Sequence, residues 1–389
     1  MLQHTPRLVR HALKRSSAFF SRCTALLKHS NPLLFAFSIT LLLLLLLIVN
    51  HYETKLAAIS REKNSLKLLS ASLNQVNEIS DGGEGGEGGA RNGQLLLPDD
   101  LIVIYNRVPK TASTSFMGIT YELCGRNGFN VMHLNTSRNS HVMSLSDQLR
   151  FVWNVTRWTR KQPAFIHGHV AYLNFARFGL FTPRPLYINL IRRPLDRLVS
   201  YYYFLRNGDN FRPNVVRKKA GDKRSFDECV DLNERDCRVE NLWLQVPFFC
   251  GQDSECWKPG SKWALETAKR NLLGAYFLVG TTESLHEFVQ VLEAALPQMF
   301  AGATAVYDKG SKSHLRKTFN KVGPSARTIA KIQQSRIWQM ENEFYQFALD
   351  NFNFVRDRTL VRVKQATGTA PAEYKERGQQ FFFEKIRPK

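Results

Sequence analysis

The sequence has no glycine-rich loop of the kind that enzymes acting on ATP or GTP use to hold phosphate groups. Its most distinctive stretch is residues 102–115, where an apolar run leads into Asn-Arg-Val-Pro-Lys-Thr-Ala-Ser-Thr-Ser. This stretch lacks the glycines of the pattern G-x-x-x-x-G-K-[ST]. It still places Lys110 and several hydroxyl side chains at a predicted helix N-terminus, which favours a phosphate. The missing glycines therefore suggest a phosphate donor other than ATP or GTP.

Sequence patterns for metal binding are also scarce. The six cysteines include no C-x-x-C pair, so zinc is the weaker explanation for the four that crowd residues 229–256. Disulfide bonds are the stronger one, because an oxidising compartment favours them. No acidic cluster in the sequence suggests a magnesium site. We therefore predict no metal cofactor.

One segment is apolar enough for a membrane helix. Residues 33–50 form an almost unbroken apolar run, near the lower limit of the roughly 17–25 residues that a spanning helix needs. Residues 1–32 contain Arg and Lys but no Asp or Glu, so the positive-inside rule predicts a cytosolic tail and a lumenal remainder. A cleaved signal peptide is the alternative, but no small-x-small site follows directly. We predict a single-pass type II signal anchor.

Two regions follow the predicted anchor. Residues 51–98 are a predicted lumenal stem, whose apolar residues fall close to a heptad pattern and whose residues 81–93 form a Gly-rich linker. The stem is either a short coiled coil or a loose helix. Residues 99–389 are predicted to form one catalytic domain.

Basic charge exceeds acidic charge, with 54 Lys and Arg against 33 Asp and Glu and a net charge of +21. Two clusters of basic residues, at 212–224 and 309–321, would repel internally unless a polyanion relieved them. A lumenal protein meets little nucleic acid. We therefore expect an acidic polysaccharide or a membrane surface as partner, and no nucleic acid.

Apolar runs alternate with helical patterns along the domain, which predicts an α/β fold with a parallel sheet flanked by helices. The predicted strands are 101–105, 164–169, 186–191 and 275–279. The predicted helices are 115–124, 144–155, 195–205, 262–273, 284–296 and 328–351. Ligand sites in such sheets lie at the carboxyl ends of strands, and Lys110, His169 and Arg192 all fall at such ends.

The pair His167 and His169 ends an apolar strand. Imidazole has a pKa suited to accepting a proton from a hydroxyl group near neutrality. Two histidines at i and i+2 on a strand would also suit a metal, but no third ligand is evident. A base is therefore the favoured interpretation.

Several segments together resemble the heparan sulfate 2-O-sulfotransferases, which belong to the uronosyl 2-O-sulfotransferase family. These are the loop at 110–115, His167-Gly168-His169-Val170, Ile191-Arg192-Arg193-Pro194 with Ser200 to Phe204, 243–256, 312–318 and 382–386. The similarity runs from about residue 100 to the C-terminus. It implies a P-loop-like sulfotransferase fold and transfer of sulfate from PAPS (3′-phosphoadenosine 5′-phosphosulfate) to the 2-hydroxyl of a uronic acid, mainly iduronate, in heparan sulfate.

The resemblance also implies roles for individual residues. His169 would be the base, His167 an assisting or substrate-binding residue and Lys110 the clamp on the leaving group. The nucleotide would be bound by Lys110, Thr111, Ala112, Ser113, Thr114, Ser115, Arg192, Ser200, Tyr307, Ser313, Thr318 and Lys321. The polysaccharide would be bound by Arg107, His133, Arg138, Asn139, Arg212, Arg217 and Arg316. Many relatives have Asp at the position of Arg193, which puts the local salt bridging of this chain in question.

Further expectations concern covalent structure and assembly. Nearest-neighbour pairing gives the disulfides Cys229–Cys237 and Cys250–Cys256, which the resemblance also implies. Asn135 and Asn154 begin glycosylation motifs. The resemblance implies a homotrimer in the Golgi membrane. The alternatives are a uronyl 2-O-sulfotransferase acting on dermatan or chondroitin sulfate, and a non-catalytic glycan-binding protein of the lumen.

Overall fold

The computed structural model describes residues 101–136, 140–179, 185–310, 317–366 and 383–386. The predicted tail, anchor and stem lie outside these ranges. So do four of the predicted site residues, Arg138, Asn139, Ser313 and Arg316. Within the described part of the chain, no helix is both long enough and apolar enough to cross a membrane.

A parallel sheet of six strands lies at the centre of the domain, in the order β5-β4-β1-β3-β2-β6. The strands are β1 (Ile102–Asn106), β2 (Asn130–Leu134), β3 (Ala164–Gly168), β4 (Leu186–Ile191), β5 (Tyr276–Thr281) and β6 (Phe383–Ile386). All five pairings are parallel. The central strands β1, β3 and β4 are buried along nearly their whole length because helices cover both faces of such a sheet.

Eleven α-helices are present in the described ranges. They are α1 (Ser113–Asn127), α2 (Leu145–Arg157), α3 (Pro194–Asn207), α4 (Phe226–Asp231), α5 (Gln245–Cys250), α6 (Lys262–Ala275), α7 (Leu285–Ala295), α8 (Pro297–Phe300), α9 (Ala303–Asp308), α10 (Ala326–Gln333) and α11 (Arg336–Ala366). Short 3₁₀ helices lie at Thr159–Lys161, Phe175–Phe178, Arg235–Cys237, Val239–Leu242, Ser254–Trp257 and Thr282–Ser284.

The alternation of side chains along β1 divides the core in two. Ile102 and Ile104 pack into a core built with α2, α5, α6 and α11. Val103 and Tyr105 pack into a second core on the opposite face, built with α1, α7, α8 and α9. Because all the strands are parallel, their carboxyl ends and the loops that follow them lie at the same edge of the sheet.

The predicted α/β class is confirmed, and the predicted strands correspond to β1, β3, β4 and β5. The prediction missed β2 and β6. It also joined two helices, because the pattern over residues 328–351 breaks at Gln334 and Ser335. Ser335 begins the second of these helices by accepting a hydrogen bond from the Trp338 N–H at 3.1 Å.

Both predicted disulfides are present, joining Cys229 to Cys237 and Cys250 to Cys256. The second bond starts at Cys250, the last residue of α5. The indole N–H of Trp243 donates a hydrogen bond to the carbonyl oxygen of its other cysteine, Cys256. Cys124 is a free thiol that lies on α1 and is only half buried.

Candidate active site

The loop between β1 and α1 adopts a backbone conformation that most residues avoid. Lys110 has φ 69° and Ala112 has φ 56°, both in the left-handed region. Alternating left- and right-handed residues turn successive N–H groups toward one point, which forms a concave anion site. No side chain caps the N-terminus of α1. The backbone therefore creates the phosphate-binding shape that other loops obtain from glycine.

Lys110 lies over this loop and contacts two other segments. Its Nζ donates to Thr318 Oγ1 at 3.3 Å and sits 4.2 Å from the centre of the Phe204 ring. Thr318 is held in turn by a β-bridge to Asp209. The structure thus brings together three predicted or neighbouring elements of the nucleotide site: the loop, α3 and the segment at 317–320.

Arg192 follows β4 and points toward the same loop. Its Nη1 donates to the Lys110 carbonyl oxygen at 3.4 Å, while its buried Nε has no hydrogen-bond partner among the residues that the structure describes. Lys321 lies near Arg192. The pKa of Lys321 is lowered first by desolvation and second by the positive charge of Arg192. A buried guanidinium N–H without an acceptor fits a phosphate oxygen well. The residues present therefore fit a nucleotide with several phosphate groups.

His169 is fixed in one tautomer. Its Nδ1 lies 2.8 Å from the carbonyl oxygen of Arg107, which can only accept, so Nδ1 carries the proton and Nε2 is left as the acceptor nitrogen. Burial first and the charge of Arg107 second lower the pKa of His169 from 6.5 to about 3. Solvent still reaches part of the residue. An anionic ligand nearby would raise this pKa again.

His167 lies deeper than His169, with 1% of its surface exposed. Its Nε2 is 2.7 Å from the Tyr121 hydroxyl and its ring stacks on His133 at 4.6 Å. Its buried Nδ1 has no partner within the described part of the chain. Burial and the neighbouring charges lower its pKa well below 6.5. Arg107 Nη2 lies 3.5 Å from His133 Nε2. Because His167 is buried among these contacts, it is suited to hold neighbouring side chains in place. His169, which solvent reaches, is suited to contact a substrate.

The predicted acceptor residue Arg217 shares the Phe204 ring with Lys110, its guanidinium lying 4.4 Å from the ring centre. Its Nη2 is 3.5 Å from Asp209 Oδ1, and Asp209 is fully buried. Asp209 also accepts from the Arg212 backbone N–H at 3.1 Å. Arg212 itself is exposed. Lys110, predicted to bind the nucleotide, and Arg217, predicted to bind the polysaccharide, therefore contact the same aromatic ring.

The basic segment 212–224 is held in place by a buried ion-pair network. Arg206 is nearly fully buried on α3 and its Nη2 lies 2.8 Å from Asp222 and 3.0 Å from Asp236. Lys219 pairs with Asp236 at 3.2 Å. Because these pairs anchor the segment on both sides, its exposed cations face solvent from a defined backbone.

Some predicted residues lie apart from these contacts. Tyr307 is on α9 with its ring against His286 of α7, and Ser200 is buried within α3. Asn135 follows β2, and Asn154 lies inside α2. Among the described residues, no group of three His, Cys, Asp or Glu side chains could hold a metal ion.

Sequence reasoning missed several residues that build the site. They are Tyr121, Phe204, Arg206 and Asp209. Tyr121 contacts His167, Phe204 contacts Lys110, and Asp209 forms a bridge with Thr318, so the contacts that matter join residues distant in sequence and no local pattern reveals them. The aromatic run 201–204 was the one available signal, since an aromatic face beside basic segments favours cation–π contacts.

Comparison with known proteins agrees with this geometry. A family profile described as "Sulfotransferase family" matches residues 94–348. Heparan sulfate 2-O-sulfotransferase 1 of Gallus gallus is 59% identical over 291 residues, which cover 75% of this chain and 80% of the relative. The Homo sapiens protein of the same name is 57% identical over the same coverage. The heparin sulfate O-sulfotransferase of Drosophila melanogaster is 53% identical. The chain therefore belongs to the sulfotransferase family, and within it to the heparan sulfate 2-O-sulfotransferases.

Proposed function

We propose that this protein transfers a sulfuryl group from PAPS to the 2-hydroxyl of uronic acid residues, mainly iduronate, in heparan sulfate. The names of its relatives support the acceptor and the position. The observation that carries the reaction is the placement of His169. The Arg107 carbonyl oxygen that fixes its tautomer belongs to the same loop as Lys110. Base and donor loop therefore face one space.

Each residue then has a defined task. His169 Nε2 accepts the proton of the attacking hydroxyl group. Lys110 places positive charge beside the oxygen that leaves with the 5′-phosphate, and the uncapped α1 N-terminus binds that phosphate. Arg192 binds the 3′-phosphate. A sulfuryl group carries less charge than a phosphoryl group, so these cations suffice and no divalent ion is needed.

Acceptor binding falls to the cations around Phe204 and segment 212–224. Arginine forks match sulfate and carboxylate groups. The support is that Arg217 lies on the same ring as Lys110, which puts an acceptor contact beside the donor loop.

We further propose that the protein is a glycosylated, homotrimeric enzyme of the Golgi membrane with its catalytic domain in the lumen. The apolar run at 33–50, the basic residues before it and the motifs at Asn135 and Asn154 support this topology. The two disulfides are consistent with an oxidising compartment.

The test is to incubate the detergent-solubilised full chain with PAPS and desulfated heparan, dermatan or chondroitin, and then to analyse the disaccharides. We expect 2-O-sulfated iduronate from the heparan sample, with EDTA present or absent. The Lys110→Ala variant is the matched inactive control. Product from dermatan or chondroitin alone would reassign the acceptor, and loss of activity in EDTA that zinc or magnesium restores would overturn the metal-free mechanism.

A further inference from the structure

The turn between β4 and α3 is held by side chains from elsewhere in the fold. The Arg192 backbone N–H donates to Gln245 Oε1 at 2.8 Å, and the Arg193 backbone N–H donates to Glu283 Oε1 at 3.3 Å. Two consecutive N–H groups of one turn thus bind two side chains from different elements. This turn carries the guanidinium that lies beside the donor loop.

Gln245 is oriented by a fully buried carboxylate on α11. Glu341 Oε1 accepts from the N–H groups of Leu244 at 2.8 Å and Val246 at 3.0 Å. Its Oε2 accepts from the Gln245 backbone N–H at 3.3 Å and from Gln245 Nε2 at 3.4 Å. An ionised carboxylate can only accept, so the amide nitrogen of Gln245 faces Glu341 and its oxygen faces Arg192.

A second connection starts one turn further along α11. The Tyr345 hydroxyl donates to Glu283 Oε2 at 3.3 Å, while the other oxygen of Glu283 accepts from Arg193. The Arg193 side chain belongs to the same cluster. Burial raises the Tyr345 pKa, and the charge of Arg193 lowers it by a smaller amount. Glu283 therefore contacts both the Arg193 backbone and the Tyr345 hydroxyl.

Electrostatics explain why the turn needs such support. Arg192 lies close enough to Arg197 and Lys321 to lower the pKa of both. Like charges at this density push apart in a partly buried site. Glu341 opposes this repulsion from behind the turn, since its charge raises the Arg197 pKa.

We propose that Gln245, Glu283, Glu341 and Tyr345 form a brace that positions Arg192 for the donor nucleotide. Through this brace, α11 fixes the backbone of the β4–α3 turn and holds the Arg192 guanidinium beside the donor loop. The four are positioning residues, since none of them lies at the reacting atoms. The inference rests on the proposed function, because it assigns the anion at Arg192 to PAPS.

The experiment measures PAP affinity by calorimetry and steady-state constants on the full chain. Gln245→Met keeps a side chain of similar volume but removes the oxygen that accepts from the Arg192 backbone N–H. Glu283→Ala removes the oxygen that accepts from the Arg193 backbone N–H, and Glu283 is exposed. We expect each to weaken PAP binding and raise KM for PAPS by roughly 10-fold. The kcat at saturating PAPS and KM for heparan should stay within about twofold. Glu283→Gln, which keeps an acceptor oxygen, should recover most of the affinity.

Glu343→Gln is the matched control, because it removes an ion pair with Lys269 from the surface of the same helix. Unchanged PAP affinity in a folded Gln245→Met or Glu283→Ala variant would overturn the brace. An equal worsening of PAP affinity, both KM values and kcat would also overturn the brace, because it would indicate a general loss of structure. If Gln245→Met fails to fold, the exposed Glu283 variants decide. A wild-type chain that binds no PAP would instead refute the proposed function.

Discussion

Lys110 and Ala112 hold left-handed backbone conformations that are ordinarily left to glycine. Each costs about 1–3 kcal/mol, so the surrounding fold must impose them. The Thr111 hydroxyl helps by donating to the Val108 carbonyl oxygen at 2.9 Å. Glycine is required for close packing at Gly168, because a Cβ there would lie 2.6 Å from the Leu134 carbonyl oxygen. Strain and close packing therefore shape both the donor loop and the strand that precedes His169.

Replacing His169 should separate catalysis from nucleotide binding. His169→Ala removes the acceptor nitrogen, and we expect turnover to fall by roughly 10²–10⁴ because general base catalysis is lost. PAP affinity should stay nearly unchanged, since the only donor-loop contact removed is the hydrogen bond to the Arg107 carbonyl oxygen and no nucleotide-binding group is replaced. Calorimetry with PAP and a radiolabelled sulfate assay measure the two effects. Near-normal turnover in a folded variant would remove His169 from this role.

The buried histidines predict that acid destabilises the fold. The pKa values of His141, His167 and His169 are lowered, chiefly by burial. Between pH 6.5 and the lowered values, the unfolded chain binds more protons than the native one, so the free energy of unfolding falls as pH falls. Glu341, whose pKa burial raises to about 6, opposes this only below pH 6.

Thermal unfolding of the full chain from pH 7.5 down to pH 5 tests this dependence. We expect the midpoint to drop below pH 6.5, and to drop less in His167→Asn, because that side chain binds no proton in either state. A midpoint that rises on acidification from pH 6.5 to 6 would contradict the assignment.

At the scale of elements, the sequence predicted what local pattern encodes. Strands β1, β3, β4 and β5 each begin with at least three apolar residues in succession, and the loops after three of them carry Lys110, His169 and Arg192. By contrast, β2 begins with Asn130 and has only two apolar residues before His133, and β6 is a short segment near the C-terminus with two charged residues among its four. Their pairing depends on partners far along the chain, which no single-sequence pattern reports.

The same limit applies to the site. A basic loop at a strand end can be recognised because ligand sites gather there. The Phe204 ring between Lys110 and Arg217, and the carboxylate of Glu341 behind Gln245, depend on helices packing onto the sheet. Such contacts arise from tertiary structure, so the residues that make them could not be predicted.

Removing the C-terminal segment should affect β2 directly. In β6, Lys385 lies opposite His133 of β2, and β6 forms the edge of the sheet. A truncation from Gln379 onward would leave the edge of β2 unpaired beside His133, so we expect activity to fall. If the segment also joins copies of the chain, the oligomer mass should fall with it. Light scattering and the sulfate assay measure both, and a monomeric wild-type chain with full activity would refute the predicted assembly.

At the scale of the whole molecule, the positive charge is organised by a few acids that are wholly or partly buried. The buried Asp209 supports Arg217, and the partly exposed Asp222 and Asp236 support the buried Arg206. Removing the partner of a buried charge such as Asp209 or Arg206 is strongly destabilising. The exposed cations they hold, including Arg212, then form a fixed surface for a polyanion. A disordered basic tail would lose more conformational entropy on binding than this anchored segment does.

This surface predicts salt-sensitive binding of the polysaccharide. Exposed charge pairs are worth about 0.2–1 kcal/mol each, so Arg212→Ala/Arg217→Ala should raise the acceptor KM by roughly 2- to 30-fold. The variant should also elute from heparin at lower salt, because exposed charges are screened beyond about 8 Å at physiological ionic strength. Arg327→Ala is the control, since its exposed side chain pairs with Asp231 outside the segment. Removing Arg217 leaves Asp209 buried with less compensation, so Arg212→Ala alone separates acceptor binding from stability. Unchanged elution of the double variant would place the acceptor site elsewhere on the protein.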